Sequence, residues 1–134
     1  MTQSPAHLVA QFHQAFNLIS HNTRTLLDRA DAEVRTGLLA EEAAEAQDAV
    51  AQAENLEPNQ ALANIAQELA DVVYVAYGTA LAYGIDLDAV LTEVHRANMS
   101  KLGPDGQPIT HEGKVVKGPN FQPANVHGVL FPAD

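Results

Sequence analysis

The sequence predicts an all-α protein, an antiparallel four-helix bundle core followed by an irregular C-terminal tail. Apolar residues recur at helical spacing in several stretches, and start and stop signals divide the chain into four helical segments. Glycine and proline then recur from Gly103 onward, as expected of loops. Four helices with short connections are typical of a bundle whose neighbours run in opposite directions.

The first two helices are predicted from caps and composition. Ser4 and Pro5 form an N-cap and a first-turn proline, and this helix should reach about Ser20. Its apolar stripe comprises Leu8, Phe12, Ala15, Phe16 and Ile19. After a break at residues 21–23, a second helix rich in Ala, Leu and Glu should cover about 25–55. Pro58 is predicted to end it.

The third helix should run from about Asn59 to Tyr83, with Gly84 as its C-terminal cap. Its core candidates are Leu62, Ile65, Leu69, Val72 and Ala76. Asp86 should cap a fourth helix that ends near residues 100–102. The tail is expected to be loops with a short hairpin within 109–117.

Length and composition bound the function. The 134 residues suit a single domain over 1–134, with a helical body at about 4–102 and a loop-rich tail at 103–134. A net charge of -10 argues against sequence-independent binding to nucleic acid or to anionic membranes. The longest uncharged stretch, 72–85, is shorter than a membrane-spanning helix, and no signal-peptide pattern opens the chain. With no cysteine, a reducing compartment is compatible, and we expect a cytoplasmic protein.

Two acidic patches carry the strongest functional signal. Glu41, Glu42 and Glu45 form an E-E-x-x-E, and Glu68 and Asp71 form an E-x-x-D. Residues three or four apart share one helix face, so two helices that fold back on each other would bring these carboxylates together. Such carboxylates repel unless a cation neutralises them. Oxygen-only ligands favour Mg²⁺, or Mn²⁺ as a substitute, over zinc.

Other interpretations of the two acidic patches have less support in the sequence. Any single Glu is common on an exposed helix, but Glu68 and Asp71 border an apolar stripe rather than lying opposite it. A di-iron bundle would require Glu-x-x-His, which is absent, and an EF-hand would require a glycine among the acids. Mg²⁺ held by a few carboxylates usually binds substrate phosphates as well. The pattern therefore indicates a phosphoanhydride substrate.

All three lysines lie within residues 101–117, at Lys101, Lys114 and Lys117. A metal-holding acidic body followed by a lysine-bearing tail could bind metal with one part and phosphate with the other. Charge distribution alone favours the simpler interpretation, in which the lysines keep a loop soluble.

The two acidic patches resemble the signature of the all-α nucleoside triphosphate pyrophosphatases, which include MazG, the dimeric dUTPases and phosphoribosyl-ATP pyrophosphatase. The similarity continues through residues 95–101 and 113–119, and looks closest to the MazG-like, dUTPase-related single-domain branch. It implies hydrolysis of an NTP or dNTP, with dUTP or another pyrimidine dNTP among the candidates, to the monophosphate and pyrophosphate. It also implies a homodimer or homotetramer.

The resemblance assigns roles to individual residues. The implied metal ligands are Glu42, Glu45, Glu68 and Asp71. Glu41 is the implied general base or a ligand to a further metal, and Lys101 would offset charge on the leaving pyrophosphate. The implied phosphate contacts are Asn98, Lys101, Lys114 and Lys117. Tyr74 and Phe16 are candidate contacts for the nucleobase, although packing in the core is the commoner role of such residues.

Two alternatives stay open. Phosphoribosyl-ATP pyrophosphatase is a second activity within the same superfamily, ranked lower because residues 98–119 look more MazG-like. A non-catalytic helical module whose acids bind a basic partner is the alternative from another class. It predicts no catalytic metal requirement and a partner affinity that falls with salt.

Overall fold

The computed structural model describes residues 3–133, and they form two compact units divided between Ile85 and Asp86. The first unit contains α1 (Pro5–Ala15), α2 (Arg29–Gln52) with a 3₁₀ turn at Ala53–Asn55, and α3 (Pro58–Tyr83). The second contains α4 (Leu87–Met99), the strands β1 (Thr110–His111) and β2 (Lys114–Val115), and α5 (Val126–Leu130). The predicted all-α class with an irregular tail is confirmed. A single domain over 1–134 stays a prediction.

In the first unit, α2 and α3 form an antiparallel hairpin, and α1 packs on α3. Arg35, near the start of α2, donates hydrogen bonds to Thr79 and Val75 in the later part of α3. About two turns further along α2, Glu42 meets Asp71 and Glu68, which lie earlier in α3. The partners therefore run in opposite orders along the two helices.

Local caps explain where the long helices begin. The Asp28 carboxylate accepts from the Asp31 amide at 2.9 Å, and the Glu57 carboxylate accepts from the Gln60 amide at 3.1 Å. Such caps satisfy amides that have no partner within the helix. The prediction that Pro58 ends the second helix is wrong, because α2 and its 3₁₀ turn finish at Asn55. Pro58 instead opens α3, where a proline costs no hydrogen bond.

The first helix is shorter than predicted. It ends at Ala15 rather than near Ser20, because Asn17 turns the chain with a φ of 55°. Asparagine tolerates this left-handed conformation better than most residues. The Leu18 amide then donates to the carbonyl of His13 at 2.9 Å.

The segment after α1 seals the C-terminal end of α3. The His21 amide donates to the Leu81 carbonyl at 3.0 Å, and the Thr25 amide donates to the Tyr83 carbonyl at 2.8 Å. Gly84 ends α3 with a φ of 71°, as predicted. A Cβ at Gly84 would lie 2.0 Å from the Thr23 carbonyl oxygen, so the close approach of this segment also requires glycine.

The second unit places the tail on α4. The predicted hairpin is present, with Thr110 paired to Val115 and His111 to Lys114. Its turn residues, Glu112 and Gly113, both have positive φ, as a tight hairpin turn requires. The short helix α5 was not predicted. Its Asn125 cap accepts from the Gly128 amide at 3.0 Å.

The buried apolar side chains are small. They are Val9, Ala61, Ala80, Ala82 and Ala97. The prediction that Leu62 and Leu69 lie in the core is wrong for the single chain, since they are 64% and 55% exposed. They share an outer face of α3 with Val73, which neither α1 nor α2 covers. Within residues 3–133, no helix is both long and apolar enough to cross a membrane.

Candidate active site

The antiparallel α2–α3 hairpin brings together three of the predicted metal ligands. One carboxylate oxygen from each of Glu42, Glu68 and Asp71 lies within 4.8 Å of the other two. Glu68 and Asp71 share a face of α3 because they are three residues apart, and Glu42 faces them from α2. All three side chains are partly buried. We call this group the carboxylate cluster.

The cluster is electrostatically strained. One oxygen of Glu42 and one of Glu68 are buried without a hydrogen-bond partner among the described residues. Desolvation raises the pKa of Glu42, and the negative charges of Glu45, Asp71, Glu68 and Glu41 raise it further. Desolvation also raises the pKa of Glu68, followed by its contact with the Glu45 carboxyl. An unpartnered buried carboxylate oxygen is costly, so the cluster is incomplete in chemical terms.

A divalent hard cation fits this arrangement. The donors are all carboxylate oxygens, the set that Mg²⁺, Mn²⁺ and Ca²⁺ prefer. A cation held by these residues would neutralise the partly buried carboxylates of Glu42 and Glu68 and would offset the repulsion that contributes to their raised pKa values. The residues present therefore fit a metal.

The structure separates the two remaining acids of the first patch. Glu45 lies one turn after Glu42 and contacts Glu68, so it borders the carboxylate cluster. Glu41 is exposed and is not one of the three converging residues. A step of one residue rotates a side chain by about 100° around the helix, which directs Glu41 away from the direction of Glu42.

Gln67 is a neighbour of the cluster that the sequence reasoning missed. Its amide nitrogen lies 3.4 Å from each carboxylate oxygen of Asp71, four residues later in α3. A donor at this position orients the Asp71 carboxylate. The signal was present as a Gln–Asp pair at i,i+4, a spacing at which helical side chains interact.

A cleft of about 230 Å³ in the first unit adjoins the carboxylate cluster. Glu42 and Asp71 contribute to its wall. Phe12, Leu38 and Tyr74 contribute apolar surface to the same cleft. With a cation held by the acids, a cleft that is polar at one end and apolar at the other would suit a ligand that carries phosphates on one side and an aromatic ring on the other.

The predicted aromatic contacts differ in position. Tyr74 lines the cleft, and its ring meets that of Phe12 edge to face, with centroids 5.6 Å apart. Phe16 lies outside the cleft lining and is 64% exposed, while its ring contacts Phe12 at 4.6 Å. Periodicity could not separate these residues, because Phe12 and Phe16 belong to the same apolar stripe.

Two polar residues of the cleft, His13 and Arg35, were also missed as site candidates. His13 is buried, and its Nδ1 lies 2.9 Å from the carbonyl oxygen of Ile19. The Arg35 guanidinium is partly buried beside it, and burial lowers its pKa. In the sequence each looked like one ordinary polar residue of a helix, with no spacing pattern to single it out.

The predicted phosphate contacts belong to the second unit. Asn98 is exposed in the last turn of α4, and Lys114 is exposed on β2. The Gly118 amide donates to the Lys101 carbonyl at 2.9 Å, which brings Lys117 close to Lys101 in space. The Lys117 ammonium lies 4.9 Å from the centre of the Phe121 ring. The tail therefore gathers two lysines that are 16 residues apart in sequence.

A family model matches the part of the chain that contains the carboxylate cluster. The family described as Phosphoribosyl-ATP pyrophosphohydrolase matches residues 9–98, which is more than half of the chain and includes every acid of the cluster. The chain belongs to the phosphoribosyl-ATP pyrophosphohydrolase family. Membership confirms the predicted relationship to the all-α NTP pyrophosphatases and makes the chain a nucleotide pyrophosphohydrolase.

The chain is also similar to a solved structure. It is a protein from Exiguobacterium sp. 255-15, provisionally described as an NTP pyrophosphohydrolase, with 26% sequence identity to this chain. The similarity covers 91% of this chain and 90% of that one, with a TM-score of 0.48. Among curated proteins, none matches significantly. The family assignment therefore rests on the family match over residues 9–98.

Proposed function

We propose that the protein hydrolyses a nucleoside triphosphate to the monophosphate and pyrophosphate in a reaction that depends on Mg²⁺, with Mn²⁺ as a substitute. One observation carries the proposal. The carboxylate cluster converges within 4.8 Å beside a partly apolar cleft, and two of its oxygens are buried without a hydrogen-bond partner in the described part of the chain. Such a cluster costs stability unless it binds a cation.

Four acids would hold the metal. Glu42, Glu68 and Asp71 are the converging ligands, and Glu45 joins them through its contact with Glu68. When bound, the cation supplies Lewis acidity toward phosphate oxygens and water. These acids would also determine where the polyphosphate binds, because a cation that they hold would be shared with the substrate phosphates.

The remaining polar residues would act on the proton and on the leaving group. On the family resemblance, Glu41 would accept the proton of the attacking water or bind a further metal, although its exposed side chain lies about 100° around α2 from Glu42. Lys101 would offset the charge that builds on the leaving pyrophosphate. Asn98, Lys114 and Lys117 would bind phosphate oxygens. Support for these roles is the family resemblance and, for Lys101 and Lys117, their proximity within the second unit.

The cleft would take the nucleoside end. Its volume of about 230 Å³ lies below the roughly 300–1,000 Å³ typical of sites for whole drug-sized ligands, so it suits a base with part of its sugar. Tyr74 and Phe12 would contact the base, with Phe16 supporting Phe12 from behind. A pyrimidine dNTP such as dUTP belongs among the candidate substrates.

Phosphoribosyl-ATP is a second candidate substrate. The description of the matching family favours it directly. Measuring product release from phosphoribosyl-ATP beside the common nucleotides distinguishes the two kinds of substrate.

The test is product release from a panel of NTPs, dNTPs and phosphoribosyl-ATP, each with Mg²⁺, Mn²⁺ or EDTA. We expect pyrophosphate and the monophosphate in equal amounts, only with metal. Glu68→Gln should reduce kcat at least about a hundredfold, as loss of a group that supports metal catalysis does. Asp48→Asn, at an exposed acid of α2, is the matched control and should keep wild-type rates. Turnover in EDTA, or full activity of folded Glu68→Gln, would refute the proposal.

A further inference from the structure

Arg35 lies on the same side of α2 as Glu42, two turns nearer the start of the helix, and both line the cleft. Seven residues at 1.5 Å each place them about 10 Å apart along the helix axis. A nucleotide whose phosphates bind at the carboxylate cluster would therefore extend its base toward Arg35.

Only two of the N–H groups of the Arg35 guanidinium donate hydrogen bonds within residues 3–133. Its Nε donates to the Thr79 hydroxyl at 3.1 Å, and its Nη2 donates to the Val75 carbonyl at 3.1 Å. A guanidinium has five N–H donors in a planar fork. These two bonds occupy the side edge of the fork and hold the group in place. The end edge, formed by Nη1 and the second hydrogen of Nη2, has no partner among residues 3–133.

Arg35 forms no ion pair with a carboxylate of residues 3–133, although its side chain is partly buried. The nearby walls of the cleft are apolar at Phe12, Leu38 and Tyr74. A ligand that meets both kinds of surface carries an aromatic ring with hydrogen-bond acceptors on its rim, as a nucleobase does.

Gly78 makes room for this arrangement. A Cβ at Gly78 would lie 2.6 Å from Nη2 of Arg35 and 2.9 Å from Nε2 of His13. Glycine is unfavourable inside a helix, and α3 nevertheless has one at the point where these two side chains approach.

We infer that Arg35 reads the nucleobase through the free edge of its guanidinium and selects bases that present two adjacent acceptors. Cytosine offers O2 with N3, and guanine offers O6 with N7. In adenine and uracil each such acceptor is flanked by a donor or a carbon, so only one bond forms. The inference rests on the proposed function and names its base specificity: among the candidate substrates it favours cytosine and guanine nucleotides over dUTP and phosphoribosyl-ATP.

The experiment compares wild type with Arg35→Lys, which keeps the charge but removes the fork. Arg29→Lys is the control, because Arg29 lies in the same helix with a 93% exposed side chain. The kinetic parameters kcat and KM are measured for CTP, GTP, ATP and UTP. In parallel, CMP, GMP, AMP and UMP are titrated in EDTA while the Arg35 Nε–H signal is followed by NMR.

We expect wild type to favour CTP, GTP or both over ATP and UTP by about tenfold or more, the discrimination typical of a bidentate arginine contact. In Arg35→Lys the ratio of kcat/KM between favoured and disfavoured nucleotides should fall toward one, because KM for the favoured nucleotides rises with little change in kcat. The Arg35 signal should shift more with CMP or GMP than with AMP or UMP. Arg29→Lys should behave as wild type.

A purely structural role for Arg35 makes a different prediction. The variant would then melt at a lower temperature, but its folded fraction would keep the wild-type order of substrates. If Arg35→Lys does not fold, Thr79→Val provides the second variant. It removes the hydroxyl that accepts from Arg35 Nε, and Thr79 itself does not line the cleft. The inference requires Thr79→Val to narrow the base preference, and an unchanged preference overturns it.

The inference and the proposed function can fail separately. Metal-dependent turnover without any base preference overturns the inference alone. No turnover of any nucleotide, together with an Arg35 signal that responds selectively to CMP or GMP, overturns the proposed function alone. An Arg35 signal that responds equally to all four monophosphates, or to none, also overturns the inference.

Discussion

Glu42 and Glu68 each bury one carboxylate oxygen that accepts no hydrogen bond from residues 3–133. Their raised pKa values mean that both are destabilising when ionised without a cation, because folding moves them out of water and beside other acids. Without a cation, the ionised acids therefore lower the stability of the hairpin. Binding of a metal would offset this loss, because metal binding contributes to the free energy of folding.

Glu68→Gln should stabilise the metal-free protein. The folded-state pKa of Glu68 is raised, so the metal-free wild type loses stability as the pH rises from about 4.5 through the folded pKa, and Gln removes that loss. The thermal midpoint in EDTA at pH 7 should rise in the variant and converge with that of wild type near pH 4.5. A midpoint in EDTA that falls in Glu68→Gln would show that the acid is favourably paired without metal.

Residue-level prediction succeeded where spacing carried the signal. The carboxylate cluster followed from i/i+3 positions on two helices, because those positions must share a face once the helices pair. Arg35, His13 and Gln67 could not be found this way. Their places depend on which side of each helix meets its neighbour, and periodicity in an alanine-rich chain leaves that side ambiguous.

At the scale of elements, caps and stops were the most predictable features. Ser4, Asp86 and Gly84 occupy the positions expected of them, because each solves a local problem of backbone hydrogen bonding. The end of α1 was not predictable, since the apolar stripe continues past Ala15 into the following loop. The short α5 was missed because five residues are too few to show a period.

Gly84→Ala should destabilise the first unit. The residue has a φ of 71°, and its Cβ would lie 2.0 Å from the Thr23 carbonyl oxygen. The left-handed conformation alone costs an alanine about 1–2 kcal/mol, and the clash adds to that. Gly37→Ala is the matched control, because nothing lies within 4 Å of its Cβ position in α2.

Replacing Gly37 should stabilise the protein by up to about 1 kcal/mol through helix propensity. Chemical denaturation followed by circular dichroism measures both variants. Equal stability of Gly84→Ala and wild type would show that the segment at Thr23 does not approach α3 this closely in solution.

The connection between α4 and α5 should weaken in acid. Arg96 and the Asn125 amide both donate to the Glu93 carboxylate and lower its pKa to about 2. A lowered pKa stabilises the fold above the unfolded value near 4.5, and this stabilisation is lost as the pH falls toward 2. Hydrogen exchange of the Asn125 amide should accelerate across that window, beyond the intrinsic change with pH.

Glu93→Gln should remove most of this acid sensitivity at Asn125. Glu112→Gln, at an 85% exposed acid of the hairpin turn, should leave it unchanged. An Asn125 amide that exchanges at its wild-type rate in Glu93→Gln at pH 6 would contradict the proposed contact.

At the scale of the whole molecule, few large apolar side chains are buried in the single chain. Leu62, Leu69 and Val73 form an exposed row at helical spacing on α3. Apolar surface of this kind usually lies against a partner. Sequence periodicity alone assigned Leu62 and Leu69 to a core, because an amphipathic helix looks the same whether it faces its own chain or another.

We therefore expect a homodimer or homotetramer in solution. The combined substitution of Leu62 and Leu69 by Gln should shift the assembly toward monomer, because each polar side chain would have to be desolvated at the interface. Sedimentation equilibrium over a range of concentrations measures the shift, with Leu26→Gln as a comparison on an exposed residue outside α3. A wild-type protein that remains monomeric at high concentration would exclude this expectation.

The central claim is that the carboxylate cluster of the α2–α3 hairpin binds the divalent cation needed for turnover. Direct titration with Mn²⁺, followed by electron paramagnetic resonance of the free ion, tests it without any substrate. Wild type and Asp48→Asn should bind Mn²⁺ with the same affinity, and Mg²⁺ should compete. Glu68→Gln should weaken binding at least about tenfold, in line with losses seen when groups that support a metal are removed. Undiminished binding in Glu68→Gln would contradict the assignment of the metal to this cluster.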